Sequence, residues 1–552
     1  MLRRQWPGVP VVLVQIFGAT VLAGAILAFL TLPTPALSTL RHHLTDPRSL
    51  MFQLTGEEAL ASQFRGIVQW VAGQFRPRPQ TRANVPVTYT DLPPFGVNTE
   101  LEQEVEPEKR DLVLQMIADA GFRWIRQPFP WYDIEIHGKG DYEDRRHEPY
   151  RSAWDKYDQI LDLAEGYELG VIARIGAPPA WSRHDGTERG AFGPPDRIED
   201  FVDFAAAVAT RYAGRIKYYQ IWNEPNVYPE WGNQPVSPDA YTDLLCATYH
   251  RIKAVDPDAV IISAAMAQTQ ELGTWNADYH GNNMMDTVFL QRMYAAGAGA
   301  CFDIMAVNDY MLWSGPTDHR LTQREINFSR PIWLRDVMVA NGDEHKPIWI
   351  SEMNSNAAPE GIPDRYGRVT LDQQARWAPL AFERIQREWP WAGVTTVWFF
   401  KKATDAEQHD PAYYFRLLDP DFTPMPVYHA LSDYFNNLEP TLYRGYHQET
   451  TWQMTYTGPW EDITSPQAIL GSYRRTTTPG ATLSLTWEGR SLWLHPGPGG
   501  GTLQVRDGTG KSRDLILAEA PLRLDFSLLP EQRQITLTVL SGEVSVDALE
   551  VR

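Results

Sequence analysis

Tyr219-Gln220-Ile221-Trp222-Asn223-Glu224-Pro225-Asn226 is the stretch that decides the fold of this chain. An apolar approach, Ile216 to Ile221, predicts a buried strand, and the proline after Glu224 stops it. Pro347-Ile348-Trp349-Ile350-Ser351-Glu352-Met353-Asn354 has the same shape. Two buried strands that each end in a glutamate, well separated in sequence, predict one site with two carboxylates. Such a pair is the minimum equipment for cleaving a glycosidic bond.

Strands and helices alternate on both sides of this stretch. One helix start is especially clear, because Ser237 can cap the helix and Pro238 occupies its first turn. The predicted strands are Phe95–Asn98, Arg123–Arg126, Gly170–Ile175, Ile216–Trp222, Val260–Ala264, Phe302–Val307, Pro347–Ser351 and Val394–Phe400. Eight such strands, each followed by a helix, predict a (β/α)₈ barrel with long loops. A doubly wound sheet would also alternate, but the sequence lacks its glycine fingerprint.

The sequence divides into four predicted segments. Residues 1–40 form a membrane anchor or signal segment, and residues 41–90 form a juxtamembrane segment and linker. Residues 91–438 form the barrel. In residues 439–552 the helical periodicity disappears, and short alternating runs separated by Gly and Pro turns predict an all-β, jelly-roll-like sandwich.

The N-terminal segment carries no charged residue from Val11 to Leu32. About 20 apolar residues span a bilayer, whereas the apolar region of a signal peptide has about 7–15 residues. The length therefore favours an uncleaved single-pass anchor, although Ala36-Leu37-Ser38 leaves a cleaved signal and a secreted protein open. Arg3 and Arg4 before the span favour an inside N-terminus, so we expect the barrel outside the cytoplasm.

The bulk composition excludes several classes of protein. The 552 residues carry a formal charge of −19, which argues against a nucleic-acid partner. No zinc-type or phosphate-loop spacing occurs, so we predict neither a metal nor a cofactor. Cys246 and Cys301 lie in apolar or helical surroundings, and we interpret them as buried thiols rather than a disulfide.

Residues at the carboxyl ends of parallel barrel strands face the active site. They form a polar and aromatic set with two central carboxylates: Asn98, Glu100, Arg126, Trp131, Arg174, Trp181, Asn223, Glu224, Asn308, Tyr310, Glu352, Asn354 and Trp398. For Trp131 and Trp181, a packing role and a role as a platform for a sugar ring fit the sequence equally well.

The two glutamates suit the two roles of a glycosidase. A general acid needs a raised pKa, and Glu224 has both a buried position and a second carboxylate to raise it. A nucleophile must stay ionised, and Arg126 and Tyr310 are candidate partners that keep Glu352 so. Asn223 is placed to hold a sugar hydroxyl, and Trp398 offers a flat floor for a pyranose ring.

Several motifs resemble one clan of retaining glycoside hydrolases, clan A, which has its two glutamates on strands four and seven. They are Phe95-Gly96-Val97-Asn98, Arg123-Trp124-Ile125-Arg126, Trp222-Asn223-Glu224-Pro225-Asn226, Asp303-Ile304-Met305-Ala306-Val307-Asn308, Trp349-Ile350-Ser351-Glu352, Val397-Trp398-Phe399 and Tyr414-Phe415-Arg416-Leu417-Leu418. Within the clan, residues 92–437 are most similar to glycoside hydrolase family 39, with family 5 next.

This resemblance implies a double-displacement mechanism with retention. It makes Glu224 the acid/base and Glu352 the nucleophile. It also implies a carbohydrate substrate, in the range of β-xylosides, β-glucosides and exopolysaccharides. The chain departs from the family at Asn308, where His is common, and at Asp309, where Pro often stands. We therefore expect a different polar contact beside the acid/base.

Two alternatives stay open at this point. The run from Gly471 to Trp487 resembles galactose-binding-like jelly rolls of bacterial surface proteins, but a structural brace against the barrel fits this segment equally well. The competing functional class is a non-catalytic polysaccharide-binding surface protein built on the same barrel. Retention of both glutamates disfavours that class.

Overall fold

The computed structural model describes residues 47–271, 283–323, 325–518 and 520–552. These residues form two compact units. The first contains the described residues up to Arg76 together with Thr317–Arg320, and the second contains the remainder. The predicted anchor, residues 11–32, lies outside the described residues. Within the described ranges, no helix combines the length and apolar character needed to cross a bilayer.

The second unit contains a parallel sheet of eight strands, as predicted. The strands are β1 Phe95–Asn98, β2 Trp124–Pro130, β3 Gly170–Gly176, β4 Tyr218–Ile221, β5 Val260–Ile262, β6 Met305–Asn308, β7 Ile348–Met353 and β8 Ala392–Val397. They pair in sequence order, and β1 also pairs with β8. Parallel bridges from Ile262 to Ile304 and from Met266 to Val307 join β5 to β6, so the sheet closes into a barrel.

Helices connect and surround these strands. In chain order through the whole described structure they are α1 Pro47–Thr55, α2 Leu60–Gly73, α3 Pro107–Asp119, α4 Trp131–Ile134, α5 Asp155–Gly166, α6 Ile198–Arg211, α7 Pro238–Val255, α8 Asp286–Ala295, α9 Pro331–Ala340, α10 Leu371–Glu388 and α11 Pro426–Asn437. Ser237 caps α7 by accepting a hydrogen bond from the backbone N–H of Ala240, as its sequence predicts. A capping box between Thr370 and Gln373 begins α10.

The barrel interior explains why polar residues collect at one end. Lower in the barrel, the inward side chains form an apolar cluster that includes Trp124, Ile172, Tyr218 and Trp349. All strands run in the same direction, so their carboxyl ends meet at the opposite, polar rim. The sequence places Arg126, Asn223 and its neighbours, and Glu352 at that rim.

Antiparallel sheets form the C-terminal part of the second unit. The strands are β9 Thr441–Leu442, β10 Gly445–Gln448, β11 Met454–Thr457, β12 Glu461–Thr464, β13 Ser472–Thr476, β14 Thr482–His495, β15 Gly501–Asp507, β16 Ser512–Ile516, β17 Leu522–Gly542, β18 Val544–Val546 and β19 Ala548–Val551. One sheet contains eight of these strands and the other contains three. Trp487, fully buried among leucines and valines, occupies the core of this part, and the predicted all-β architecture is confirmed.

The C-terminal sheets contact the barrel through specific polar and aromatic pairs. Arg387 of α10 donates to Glu488 at 2.6 Å, and the backbone N–H of Trp452 donates to the carbonyl of Asp91 at 3.2 Å. The Trp452 ring also meets Phe95 of β1 edge to face. These contacts join the C-terminal sheets to the barrel wall.

The first unit contains α1 and α2, and α2 has an unusual distribution of burial. Its buried residues are Gln63 and Gly66, and Gly66 packs against Thr55. Its large apolar side chains are instead exposed: Leu60, Phe64, Val68 and Val71, with Phe75 just beyond the helix. The spacing of these residues places them on one face of the helix.

The prediction for the two cysteines is wrong. Cys246 of α7 and Cys301, just after α8, form a disulfide with their Cα atoms 4.8 Å apart. The bond joins positions 55 residues apart. Sequence spacing does not reveal it, because only the packing of α7 beside α8 brings the two side chains together.

Candidate active site

The two predicted carboxylates meet at the mouth of the barrel. The side-chain N–H₂ of Asn308 donates to Glu224 Oε1 at 2.6 Å and to Glu352 Oε2 at 3.1 Å. Asn308 lies directly beside Glu352 because β6 and β7 pair in parallel register. One amide nitrogen therefore bridges both acids, and the structure brings together two residues that are 128 positions apart in the sequence.

Glu352 is surrounded by hydrogen-bond donors. Arg126 Nη1 donates to Oε1 at 2.8 Å, and the Tyr310 hydroxyl donates to Oε2 at 2.5 Å. With the bond from Asn308, the carboxylate accepts three hydrogen bonds while only 5% of the residue is exposed. Charge-assisted bonds of this kind stabilise the ionised form of a carboxylate. Arg126 and Tyr310 therefore contact Glu352 as the sequence predicts.

Arg126 is held rigidly beneath the site. Its Nε donates to Gln220 at 2.6 Å, its Nη1 also donates to Asn98 at 2.7 Å, and its Nη2 donates to Asn223 at 2.9 Å. The side chain is 2% exposed. Because strands β1, β2, β4 and β7 each contribute one of these groups, the guanidinium orients the Asn223 amide and the Glu352 carboxylate together.

The surroundings give the titratable groups of this site distinct proton affinities. Burial first, and then the charges of Glu352 and Glu230, raise the pKa of Glu224 to about 8. Burial and the charge of Glu352 raise the pKa of Tyr310 well above its ordinary value, so this phenol keeps its proton. Burial lowers the pKa of Arg126 to about 10, and the charge of Glu352 opposes that decrease. Near neutral pH, Glu224 is protonated and Arg126 is charged.

The backbone is strained where the catalytic loop leaves β4. Trp222 and Glu224 both have positive φ, at 76° and 34°. Such conformations cost about 1–3 kcal/mol each in a residue with a side chain, and they concentrate at functional sites. The loop is fixed by a bond from the Glu224 N–H to the carbonyl of Ala265 at 3.1 Å and by two bonds from the Asn226 amide. This turn directs the Glu224 side chain towards Asn308.

The three predicted tryptophans differ in their surroundings. Trp398 follows β8, is half-buried and is tied to β7 through a bond from its N–H to the carbonyl of Met353. Trp181 is also half-buried and meets Trp131 edge to face. Trp131 is fully buried, stacks on Phe204 and donates to Glu135 at 2.5 Å. The prediction of Trp131 as a sugar contact is wrong, because α6 covers its ring.

A second layer of side chains supports Tyr310. Gln268 donates to Asp309 at 2.7 Å and accepts the backbone N–H of Tyr310 at 3.0 Å. Burial raises the pKa of the Asp309 carboxyl well above its ordinary value. Asp309 is fully buried, and its N–H donates to the carbonyl of Glu352 at 2.8 Å. The backbone of Asp309 therefore joins β6 to β7, and its side chain fixes Gln268 beside Tyr310.

A cavity of about 180 Å³ lies at the ends of β1 to β4, and Trp222 and Asn223 are part of its lining. Its polar lining includes Glu100, Glu102, Arg174, Asn223 and Glu230. Burial raises the pKa of Glu230 to about 7, and the same cause, with the charge of Glu100, raises that of Glu102 to about 7. Sequence reasoning missed Glu230 and Glu102 as site residues, because both lie on loops beyond the strand ends.

The described part of the chain contains no candidate metal site. Among those residues, no group of three or more His, Cys, Asp and Glu side chains could hold a metal ion.

Comparisons with known proteins give several similarities. No protein-family model matches the chain. A curated relative, the aryl-phospho-β-D-glucosidase BglA of Bacillus subtilis (strain 168), is 31% identical over 120 residues, which are 21% of this chain. The matched part covers 23% of that relative's length.

Solved structures of glycoside hydrolases are also similar to the chain. A family 39 glycoside hydrolase from Bacteroides cellulosilyticus WH2 has a TM-score of 0.47 and 19% identity, over 82% of this chain and 83% of that one. A monomeric β-xylosidase from Caulobacter crescentus CB15 has a TM-score of 0.45 and 14% identity, over 84% and 98% of the two chains.

Proposed function

We propose that this protein is a retaining glycoside hydrolase that cleaves O-glycosidic bonds of an oligo- or polysaccharide. The observation that carries this proposal is the single amide of Asn308 that bridges Glu224 and Glu352. It places two carboxyl groups of different character at one barrel mouth. One is protonated near neutral pH, and the other accepts three hydrogen bonds, from Arg126, Tyr310 and Asn308.

The distance between the acids supports retention. One nitrogen of Asn308 bonds to an oxygen of Glu224 at 2.6 Å and to an oxygen of Glu352 at 3.1 Å. The distance between these two oxygens is therefore less than about 6.5 Å, the lower limit of the carboxyl separation in inverting enzymes. The nearest oxygens of the two carboxyls are therefore too close for an inverting enzyme, which favours the shorter separation of about 5–5.5 Å used by retaining enzymes.

The reaction then has two steps. Glu352 attacks the anomeric carbon while Glu224 protonates the leaving oxygen, which gives a covalent glycosyl-enzyme. Glu224, now ionised, takes a proton from water, and that water displaces Glu352 from the sugar. Asn223, fixed by Arg126, holds the 2-hydroxyl of the sugar, and Trp398 packs under the ring. Tyr310 and Arg126 stabilise the Glu352 carboxylate when it leaves.

The test is a screen of aryl glycosides and polysaccharides with the full chain, followed by NMR of the first product. Retention predicts a product with the anomeric configuration of the substrate. The matched variant is Glu352→Ala, which we expect to abolish hydrolysis. Hydrolysis by the Glu352→Ala variant would contradict the proposed mechanism. Sugar binding without hydrolysis by the unaltered chain would instead support the non-catalytic binding protein.

We further propose that the protein works outside the cytoplasm, attached to or close to a membrane. The uncharged span from Val11 to Leu32 supports attachment, and the Cys246–Cys301 disulfide supports an oxidising compartment. The exposed apolar face of α2 lies in a stretch, residues 59–90, with four Arg and no acidic residue. Such a helix suits an anionic lipid surface. Fractionation of cells tests this proposal, since recovery of the full-length chain in the cytosol would contradict it.

A further inference from the structure

Two loops lock together at the carboxyl ends of β6 and β7. Directly after these strands, the backbone N–H of Met311 donates to the carbonyl of Asn354 at 3.0 Å. Farther along, Gly367 approaches Leu312 so closely that a Cβ atom at position 367 would lie 1.5 Å from the Leu312 carbonyl oxygen. Gly367 also has a φ of 74°, which glycine adopts without strain. The glycine therefore fixes the loop after β7 against the loop after β6.

Each loop carries a large aromatic residue beside this contact. Trp313 follows Leu312 and is 59% exposed, although residues 314–316 after it are buried. Tyr366 precedes Gly367 and is half-buried. Because consecutive Cα atoms are about 3.8 Å apart, the contact places the Cα atoms of Trp313 and Tyr366 within about 10 Å of each other. The two loops thus hold a pair of aromatic residues as neighbours.

Ring contacts connect Tyr366 to the nucleophile. The Tyr366 ring packs on Phe415 with the ring centroids 5.8 Å apart, and Phe415 packs on Tyr310 at 5.1 Å. The Tyr310 hydroxyl in turn donates to Glu352. Burial raises the pKa of Tyr366, and the charge of Glu224 is one of the smaller contributions to that increase. Tyr366 therefore belongs to the same barrel mouth as the two catalytic carboxyls, on the side of β6 and β7.

The chemistry of the two side chains suits a sugar. A sugar unit presents apolar C–H groups on its ring face and hydroxyl groups around its edge. Trp and Tyr match both features, because each has a large apolar ring and one polar N–H or O–H group. Among the described residues, neither the indole N–H of Trp313 nor the hydroxyl of Tyr366 has a hydrogen-bond partner. The pair therefore offers a sugar unit a packing surface and two polar groups.

We propose that Trp313 and Tyr366 form a sugar subsite, which binds a unit of the substrate beyond the unit that Glu352 attacks. This subsite rests on the proposed glycosidase function, and it narrows the substrate class to chains of at least two sugar units. Trp313 and Tyr366 are then specificity-determining residues, because they add binding energy for an oligosaccharide and none for a single sugar that fills only the catalytic position.

The experiment measures binding by calorimetry to the full chain that carries Glu352→Gln, so that hydrolysis does not interfere. The probes have one to four units of the sugar that the substrate screen identifies, or are xylo- and cello-oligosaccharides if it identifies none. We expect the affinity to rise about tenfold or more between one unit and four.

Substitutions then locate the rise. Adding Trp313→Ala or Tyr366→Ala should remove most of it, whereas Tyr366→Phe, which keeps the ring, should retain most of it. Phe526→Ala is the matched control, because Phe526 is an aromatic residue of β17 that is 49% exposed in the C-terminal sheets. It should leave the rise unchanged.

Two results would overturn the inference. One is an affinity that does not rise between one unit and four. The other is a rise that either Ala variant leaves intact, or that Phe526→Ala removes equally, because the longer chain would then bind elsewhere. Failure of the glycosidase proposal is a separate result, since it appears as no hydrolysis of any substrate by the unaltered chain. Length-dependent binding that needs Trp313 and Tyr366, without hydrolysis, would leave the subsite in place and assign it to a binding protein.

Discussion

Glu352→Gln is expected to lower the pKa of Glu224. Glu224 is held in its protonated form by burial and, next in order, by the negative charge of Glu352. The substitution keeps the shape of the Glu352 side chain and removes its charge. The Gln side chain still offers a carbonyl oxygen to Tyr310 and Asn308, while its N–H₂ takes the place of the oxygen that accepts from Arg126. Arg126 keeps its bonds to Asn98, Gln220 and Asn223, so we expect the barrel mouth to stay in place as the charge at position 352 disappears.

The hydrogen bonds through Asn308 set the size of this effect. The shared nitrogen of Asn308 lies 2.6 Å from an oxygen of Glu224 and 3.1 Å from an oxygen of Glu352, so the distance between these oxygens does not exceed the sum of the two bonds. Two unit charges about 5 Å apart repel by about 3 kcal/mol at an effective dielectric constant of about 20. Because about 1.4 kcal/mol corresponds to one pH unit, the pKa of Glu224 should fall by up to about 2 units. Burial remains, so the value stays above 4.5, the ordinary value for glutamate.

The assay is a pH titration by NMR of the chain labelled with ¹³C at the glutamate carboxyls. The Glu224 signal is assigned from its loss in Glu224→Gln. The matched control is Glu108→Gln on the exposed first turn of α3, which removes one charge far from the site. A Glu224 pKa that is the same with and without the charge at position 352 would refute the electrostatic coupling, and with it the assignment of separate acid and nucleophile roles.

Three further changes test other parts of the structure. Arg126→Met should lower the free energy of unfolding by about 3–5 kcal/mol and abolish activity, because it leaves buried acceptors unpaired. The control Arg123→Met, at an exposed position, should change the free energy of unfolding by no more than about 0.5 kcal/mol. Equal melting temperatures of the two variants would contradict this. Replacing both Cys246 and Cys301 by Ala should lower the free energy of unfolding by about 4 kcal/mol, because the disulfide closes a loop of 55 residues. Activity at 25 °C should persist. An unchanged melting temperature would contradict this prediction. Glu230→Gln should raise the melting temperature at pH 8 and leave it unchanged at pH 5. Folding raises the pKa of Glu230 from 4.5 to about 7, so the ionised side chain destabilises the folded chain once the pH rises above that value, and Gln does not ionise. A gain in melting temperature at pH 5 alone would refute this sign.

The barrel and the catalytic pair could be predicted from the sequence for a physical reason. Parallel barrel strands are buried on both faces, so they read as apolar runs, and the first polar residues after them lie at one rim. Glu224 follows β4, Glu352 lies one residue before the end of β7, and Asn308 ends β6, whereas Arg126 lies within β2. Their contacts follow from the position of each strand in the barrel, without knowledge of the loops.

Other features depend on packing that leaves no local signal. Trp131 looks like a rim residue in the sequence, but α6 lies over its ring and buries it. Glu230 belongs to the loop after β4, and only the fold of that loop returns it to the cavity. The disulfide between Cys246 and Cys301 requires the register of two neighbouring helices. In each case the deciding partner is distant along the chain.

The most direct test of the account is covalent capture of Glu352. A glycoside of the sugar that the chain hydrolyses, with fluorine at C2 and a good leaving group, should form a glycosyl-enzyme faster than water releases it. The account predicts one added sugar per chain, found by mass spectrometry of peptides on Glu352 and absent in Glu352→Gln. A hydrolytically active chain with no adduct, or with the sugar on another residue, would contradict it.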